Sequence, residues 1–161
     1  MAKRVSTAMF FIVIGMLLMG VGVWIMMPKM MLTTYKSESN YEETINKLRI
    51  AIDTKDDWKI PKEFDFQKNI QDAGHGNIEK VGSIAICNPK YASMILSEDP
   101  NRKVTAIMPL TIGVYEKKNG QVYVSELNIG LMGMMFGGTI AKVMNIAGKD
   151  VKEIILSAAN K

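Results

Sequence analysis

From Val5 to Met27 the chain reads VSTAMFFIVIGMLLMGVGVWIMM, 23 residues without a charged side chain, directly after Lys3-Arg4. As a helix rising about 1.5 Å per residue this run is about 34 Å long, enough to cross a hydrocarbon core of roughly 30 Å with some tilt. It is read as a membrane anchor, residues 1–30, and not as a cleaved signal peptide. The run is longer than the roughly 7–15-residue apolar core of a signal peptide. Its end, Val23-Trp24-Ile25-Met26-Met27-Pro28, has no small residues at a cleavage position, and Trp24 suits a membrane interface. Lys3, Arg4 and the initiator amine precede the run while Lys29 and Lys36 follow it. The positive-inside rule therefore predicts a single-pass protein of the cell membrane with a cytoplasmic N-terminus and an extracytoplasmic C-terminal domain, periplasmic where the cell has a periplasm.

About 130 residues follow the anchor, the size of one domain with a real core, residues 31–161. The formal charge of +4 suggests a polyanion as partner, but Lys3, Arg4 and Lys29 belong to the anchor, and without them 17 basic residues face 16 acidic ones. A near-neutral domain with no Lys/Arg cluster interleaved with aromatics has no electrostatic reason to bind nucleic acid. Cys87 is the only cysteine, so packing and not a disulfide framework must stabilise the domain. Met-rich extracytoplasmic chains can bind Cu(I) through thioethers, but eight of the 14 methionines fall within residues 1–31, where they act as apolar filler or lipid-facing surface.

Along the domain, Met31 to Ser37 reads as a first strand. Ser39 and Glu42 have capping-box spacing ahead of Tyr41, Ile45, Leu48 and Ile52, which predicts an amphipathic helix over Tyr41–Thr54. Trp58 to Pro61 is extended, Phe64 to Ala73 is a short helix with a strand as the competing reading, and residues 72–77 form a loop. Val81 to Cys87 is an uncharged strand buried on both faces. Asn88 as N-cap and Pro89 as first helical residue open a helix to Ser97. Val104–Lys117 and Gln121–Leu127 flank Asn119-Gly120, a hairpin signal, with Pro109 bending the first strand or at its edge. Thr139 to Ala147 is helical, Gly148 interrupts it, and Asp150-x-x-Glu153 starts a new helix. This order predicts an α+β fold, a transmembrane helix followed by a small two-layer domain with a largely antiparallel sheet and helices on one face.

Ile86-Cys87-Asn88-Pro89-Lys90-Tyr91-Ala92, Met108-Pro109, Gly113-Val114-Tyr115-Glu116 and the hairpin Gly120–Ser125, together with Leu48 and Trp58, resemble the domain-of-unknown-function family 302. The resemblance spans Met31 to Leu156. It implies a small α+β sandwich with helices packed on one face of a sheet, often dimeric, and no established activity. Members commonly carry Cys directly after the proline matching Pro109, where this chain has Leu110, so a family site built on two thiols would lack one of them here.

Cys87 stands just before a helix N-terminus, where backbone N–H groups and the helix dipole favour thiolate. That placement suits a reactive thiol, a metal or haem ligand or a sulfur carrier, while a lone cysteine in an apolar strand also serves as a small buried hydrophobe. His75, the only histidine, lies between two glycines and could join Cys87 in a soft metal site, although the spacing matches no standard zinc pattern; a solvated loop histidine is the plainer reading. Tyr115 and Glu116 are neighbours on a strand and point to opposite faces, one to the core and one to the surface. Ile129 to Ala141, IGLMGMMFGGTIA, is uncharged, too short to span a bilayer and unlike a dinucleotide fingerprint. It reads either as a buried loop leading to a core helix or as an apolar interface, carried by Met132, Met134, Met135 and Phe136, lying on the membrane or on another subunit.

No nucleophile, base and orienting group occur together, which points away from a hydrolase or transferase. The expected function is a non-enzymatic membrane protein with an extracytoplasmic binding or scaffolding domain, an accessory subunit of a respiratory-type membrane complex. Its partners would be the lipid bilayer, membrane-protein subunits or a second copy, with no cofactor. The alternative is a metal-, haem- or sulfur-binding redox module using Cys87 and His75.

Overall fold

The structure, a computed structural model, describes residues 2–159, with side chains from residue 12 to residue 159. Met1 and residues 160–161 lie outside it, and so do the side chains of Lys3 and Arg4, on which the orientation rests. Helix α1 (Ala2–Met31) carries the apolar run. Its segment Ile12–Met31 is long and apolar enough to cross a membrane, and its large side chains stand exposed, Trp24 at 82%. Pro28 lies inside this helix. Proline removes one hydrogen bond to the preceding turn. Here the end of the helix is held from outside, because Asn128 donates its backbone N–H to the Met31 carbonyl at 2.7 Å and its side-chain amide to the Met30 carbonyl at 3.2 Å.

The chain passes from α1 straight into β1 (Leu32–Lys36), then α2 (Tyr41–Asp53), β2 (Lys59–Asp65), α3 (Phe66–Asp72), β3 (Val81–Cys87), α4 (Pro89–Leu96), a 3-10 segment (Asp99–Ile107), β4 (Leu110–Glu116), β5 (Val122–Leu127), α5 (Ile129–Phe136) and α6 (Gly138–Ala159). The five strands form one sheet in the order β1-β5-β4-β3-β2, every neighbouring pair antiparallel. The architecture is thus the α+β fold with an antiparallel sheet that the sequence predicts.

Period-two alternation decides which face is covered. Ile84, Ile86, Ile112, Val114, Val122 and Val124 point to one side and are sealed there with Leu48 and Ile52 of α2, Ile95 of α4 and Ile155 of α6. Each such side chain contributes about 1.5–3 kcal/mol on burial. On the other face Leu32, Thr34, Lys36 and Thr111 are exposed, Tyr115 stacks on Tyr123 at 5.6 Å, and small residues run across the strands. A Cβ on Gly113 would stand 2.7 Å from Ser125 Oγ. β3 is buried on both faces, as its uncharged sequence predicts.

Several boundaries differ from expectation for local reasons. The N-cap of α2 is Asn40, which accepts from the Glu43 N–H at 3.0 Å, while Ser39 accepts from Lys47 Nζ at 2.7 Å. The two readings of Phe64–Ala73 are each right for part of the segment: Phe64 and Asp65 end a strand and Phe66 opens a helix, with Asp65 capping it by accepting from the Lys68 N–H. Val104–Ile107 is 3-10 helix, and the strand starts only at Leu110, after a cis Met108–Pro109 peptide. Helix α6 runs through Gly148 without a break. That glycine serves contact: a Cβ there would meet Ile129 Cγ1 at 3.3 Å and the Gly130 nitrogen at 3.4 Å, so its absence lets the start of α5 lie against α6.

Candidate functional site

Cys87 closes β3 and is half-buried, opposite Lys59 of β2. The helix start beside it is already occupied, since Asn88 Oδ1 accepts from the Tyr91 N–H at 3.2 Å. Burial pushes the Cys87 thiol up, the direction opposite to the one a helix dipole would give. His75 lies in the exposed loop leading to the other end of β3. At about 3.3 Å per residue a seven-residue strand separates its ends by about 20 Å. The fold does not bring His75 and Cys87 together, and among the described residues no group of three His, Cys, Asp or Glu side chains could hold a metal ion. Tyr115 and Glu116 are both half-buried, so neither is the core residue of the pair.

Ile129–Ala141 is neither a loop nor a uniform surface. Asn128 caps α5 by accepting from the Leu131 N–H at 3.0 Å, and Gly137 and Gly138, both at positive φ, turn the chain into α6. Gly133 packs so closely on α6 that a Cβ would stand 2.6 Å from Met144 Cβ. This contact splits the four residues proposed for an interface. Met132 packs partly against the core, whereas Met134, Met135 and Phe136 are 73%, 67% and 43% exposed.

Two polar constellations went unnoticed in the sequence. In the first, Glu126 takes an inward position of β5, in line with Val122 and Val124, and is only 8% exposed. Tyr35 of β1 donates its hydroxyl to Glu126 Oε1 at 2.8 Å. Burial pushes the carboxyl above the usual carboxylate range, against the opposing effects of the Tyr35 hydrogen bond and the Lys152 charge. Burial and the Glu126 carboxylate likewise push the Tyr35 phenol up. Glu126 borders an apolar cavity of about 310 Å³ and a more polar hollow of about 270 Å³. The alternation of β5 was the available signal, because the helix-facing set Val122, Val124 includes position 126.

In the second, Asp150 of α6 accepts from Trp58 Nε1 at 3.2 Å and from the Tyr91 hydroxyl at 2.9 Å, with Lys55 Nζ 3.6 Å away. Trp58 and Tyr91 meet edge to face at 6.1 Å. Asp150 therefore does not start a helix; it ties α6 to α4 and to the start of β2.

Comparison with known proteins agrees with this geometry. The family "Domain of unknown function DUF302" matches residues 33–159. Among solved structures, an uncharacterized conserved DUF302 protein from Bacillus stearothermophilus is similar, with a TM-score of 0.72 and 19% identity over 80% of this chain and 98% of that one. At that identity the likeness speaks for the fold alone. No curated protein matches the chain.

Proposed function

The chain belongs to the DUF302 family, and we propose that it is a non-enzymatic, single-span membrane protein whose extracytoplasmic domain binds or scaffolds other components, as an accessory subunit of a respiratory-type membrane complex. One observation carries this reading. The cap residue of α5 is hydrogen-bonded to the last two carbonyls of α1, so a helix with exposed Met134, Met135 and Phe136 starts where the anchor enters the domain. Methionines adapt their shape to a neighbour, and an exposed apolar group on a short helix that begins at the end of a spanning helix suits contact with lipid or with the membrane-embedded part of another subunit.

The test is a Met134→Glu/Met135→Glu double variant of the full-length protein. Both side chains are mostly exposed, so the domain should keep its near-ultraviolet circular dichroism and melting temperature, while native-gel migration in mild detergent should fall to that of the lone chain. A variant that unfolds, or a wild-type protein that already migrates alone, would refute the accessory-subunit reading. Reporter fusions at the C-terminus test the orientation: activity of a cytoplasmic reporter there would reverse it.

A further inference from the structure

The cavity beneath Pro109 is built mainly from Ile86, Met108, Leu110, Ile112, Ile129 and Val151. Its volume, about 310 Å³, falls at the lower end of small-molecule sites, which run from roughly 300 to 1,000 Å³. Glu126 is the one charged residue in this lining, which also includes Thr111. Glu126 Oε1 is taken by Tyr35, and Oε2 has no hydrogen-bond partner. No buried side-chain oxygen among the described residues is left unpaired, so Oε2 reaches open space. The spaces Glu126 borders are the cavity and the adjoining hollow. With Glu126 ionised, Oε2 only accepts, so in that state the site calls for a donor.

Charge narrows the donor further. Lys149 and Lys152, both exposed, line the adjoining hollow and offset part of the attraction of Glu126 for a cation, Glu126 disfavours an anion, and a mostly apolar lining penalises desolvation of either charge. Away from Glu126 and Thr111 the lining is hydrocarbon, which favours an apolar body over further polar groups. We propose that this cavity binds a neutral, apolar alcohol or phenol whose O–H donates to Glu126 Oε2, its hydrocarbon body lying against Met108, Leu110 and Ile112. The site is separate from the exposed Met134-Met135-Phe136 surface, and it lies next to the anchor: Thr33, the second residue of β1, is the register partner of Glu126.

The test uses full-length protein in mild detergent, labelled at the methionine methyl groups, with para-butylphenol and its methyl ether, para-butylanisole, as probes. The phenol should shift the Met108 methyl resonance saturably, and the ether, which cannot donate, should bind at least about tenfold more weakly, as expected for loss of a hydrogen bond to a charged acceptor. A Glu126→Leu/Tyr35→Phe variant removes acceptor and donor together and leaves neither orphaned, so it should bind both probes alike. Ala106 is exposed at the rim; Ala106→Trp should leave the fold intact, as read from the buried Met144 methyl, and abolish binding of both. Equal affinities for phenol and ether in the wild type, a preference that survives in the double variant, binding unaffected by Ala106→Trp, or shifts confined to the anchor methionines would each overturn the assignment.

Discussion

Replacing Asp150 by alanine tests whether α6 is held by the Trp58–Asp150–Tyr91 contacts or only by its apolar face. The ring nitrogen of Trp58 has no other acceptor, and the residue is 2% exposed. Its N–H would be left buried and unpaired, at a cost of about 1–3 kcal/mol. Tyr91 is half-buried and lines the open polar hollow beside Lys90 and Asp57, so water is expected to replace most of what its hydroxyl loses. Lys55 keeps its pairing with Glu153, and a partly exposed pair such as Lys55–Asp150 contributes about 0–1 kcal/mol. Alanine's higher helix propensity returns about 0.5 kcal/mol. The balance is a loss of about 1–3 kcal/mol, or roughly 3–10 °C in melting temperature for a chain of this size. Thermal melts of the full-length protein in mild detergent, followed by near-ultraviolet circular dichroism, measure it. Asp150→Asn retains a carbonyl acceptor and should cost about half as much. An alanine variant within about 0.5 kcal/mol of wild type, or an asparagine variant as damaged as alanine, would refute the reasoning.

Two further predictions rest on titration. Because burial raises the Glu126 carboxyl in the folded state, the native protein binds more protons than the unfolded chain between the ordinary glutamate value and the raised one. Its stability therefore falls as pH rises through that window. Glu126→Gln should remove this loss and be more stable than wild type at neutral pH, checked by comparing the two melting temperatures across pH; a glutamine variant less stable at neutral pH would contradict it. Cys87, raised by burial, should be alkylated more slowly than a free cysteine at neutral pH and accelerate only at higher pH, measured as rate against pH in the folded protein. Rapid modification at neutral pH would restore the thiolate reading.

The elements that depend on local chemistry were legible in the sequence. The Asn88-Pro89 helix start, the α2 periodicity and the Asn119-Gly120 turn each involve residues close together in the chain, and the structure keeps them. What failed needed partners far along the chain. Gly148 reads as a helix break until the start of α5 is seen against it. Asp150 reads as a helix start until Trp58, 92 residues away, donates to it. The Met/Gly-rich run reads ambiguously because its glycine at 133 serves packing on α6 while its methionines at 134 and 135 face outward. A helix carrying both demands has no simple apolar period.

Glu126 shows where a broken pattern carries information. Register pairs Leu32 with Leu127 and Thr33 with Glu126, and a slip of one residue would turn Leu127 inward and Glu126 outward. Burial alone would favour that exchange, since a desolvated carboxyl costs stability and a leucine gains it. The slip is opposed on both sides of the strand: Val122 and Val124 would leave the core with it, and Asn128 would lose its bonds to the end of α1. The glutamate is therefore held inward by contacts that gain nothing from its charge. Natural chains depart from the apolar pattern chiefly where a site needs it. Here the departure falls at the one acidic group that borders the cavity, one strand from the end of α1, which is the observation behind the ligand proposed there.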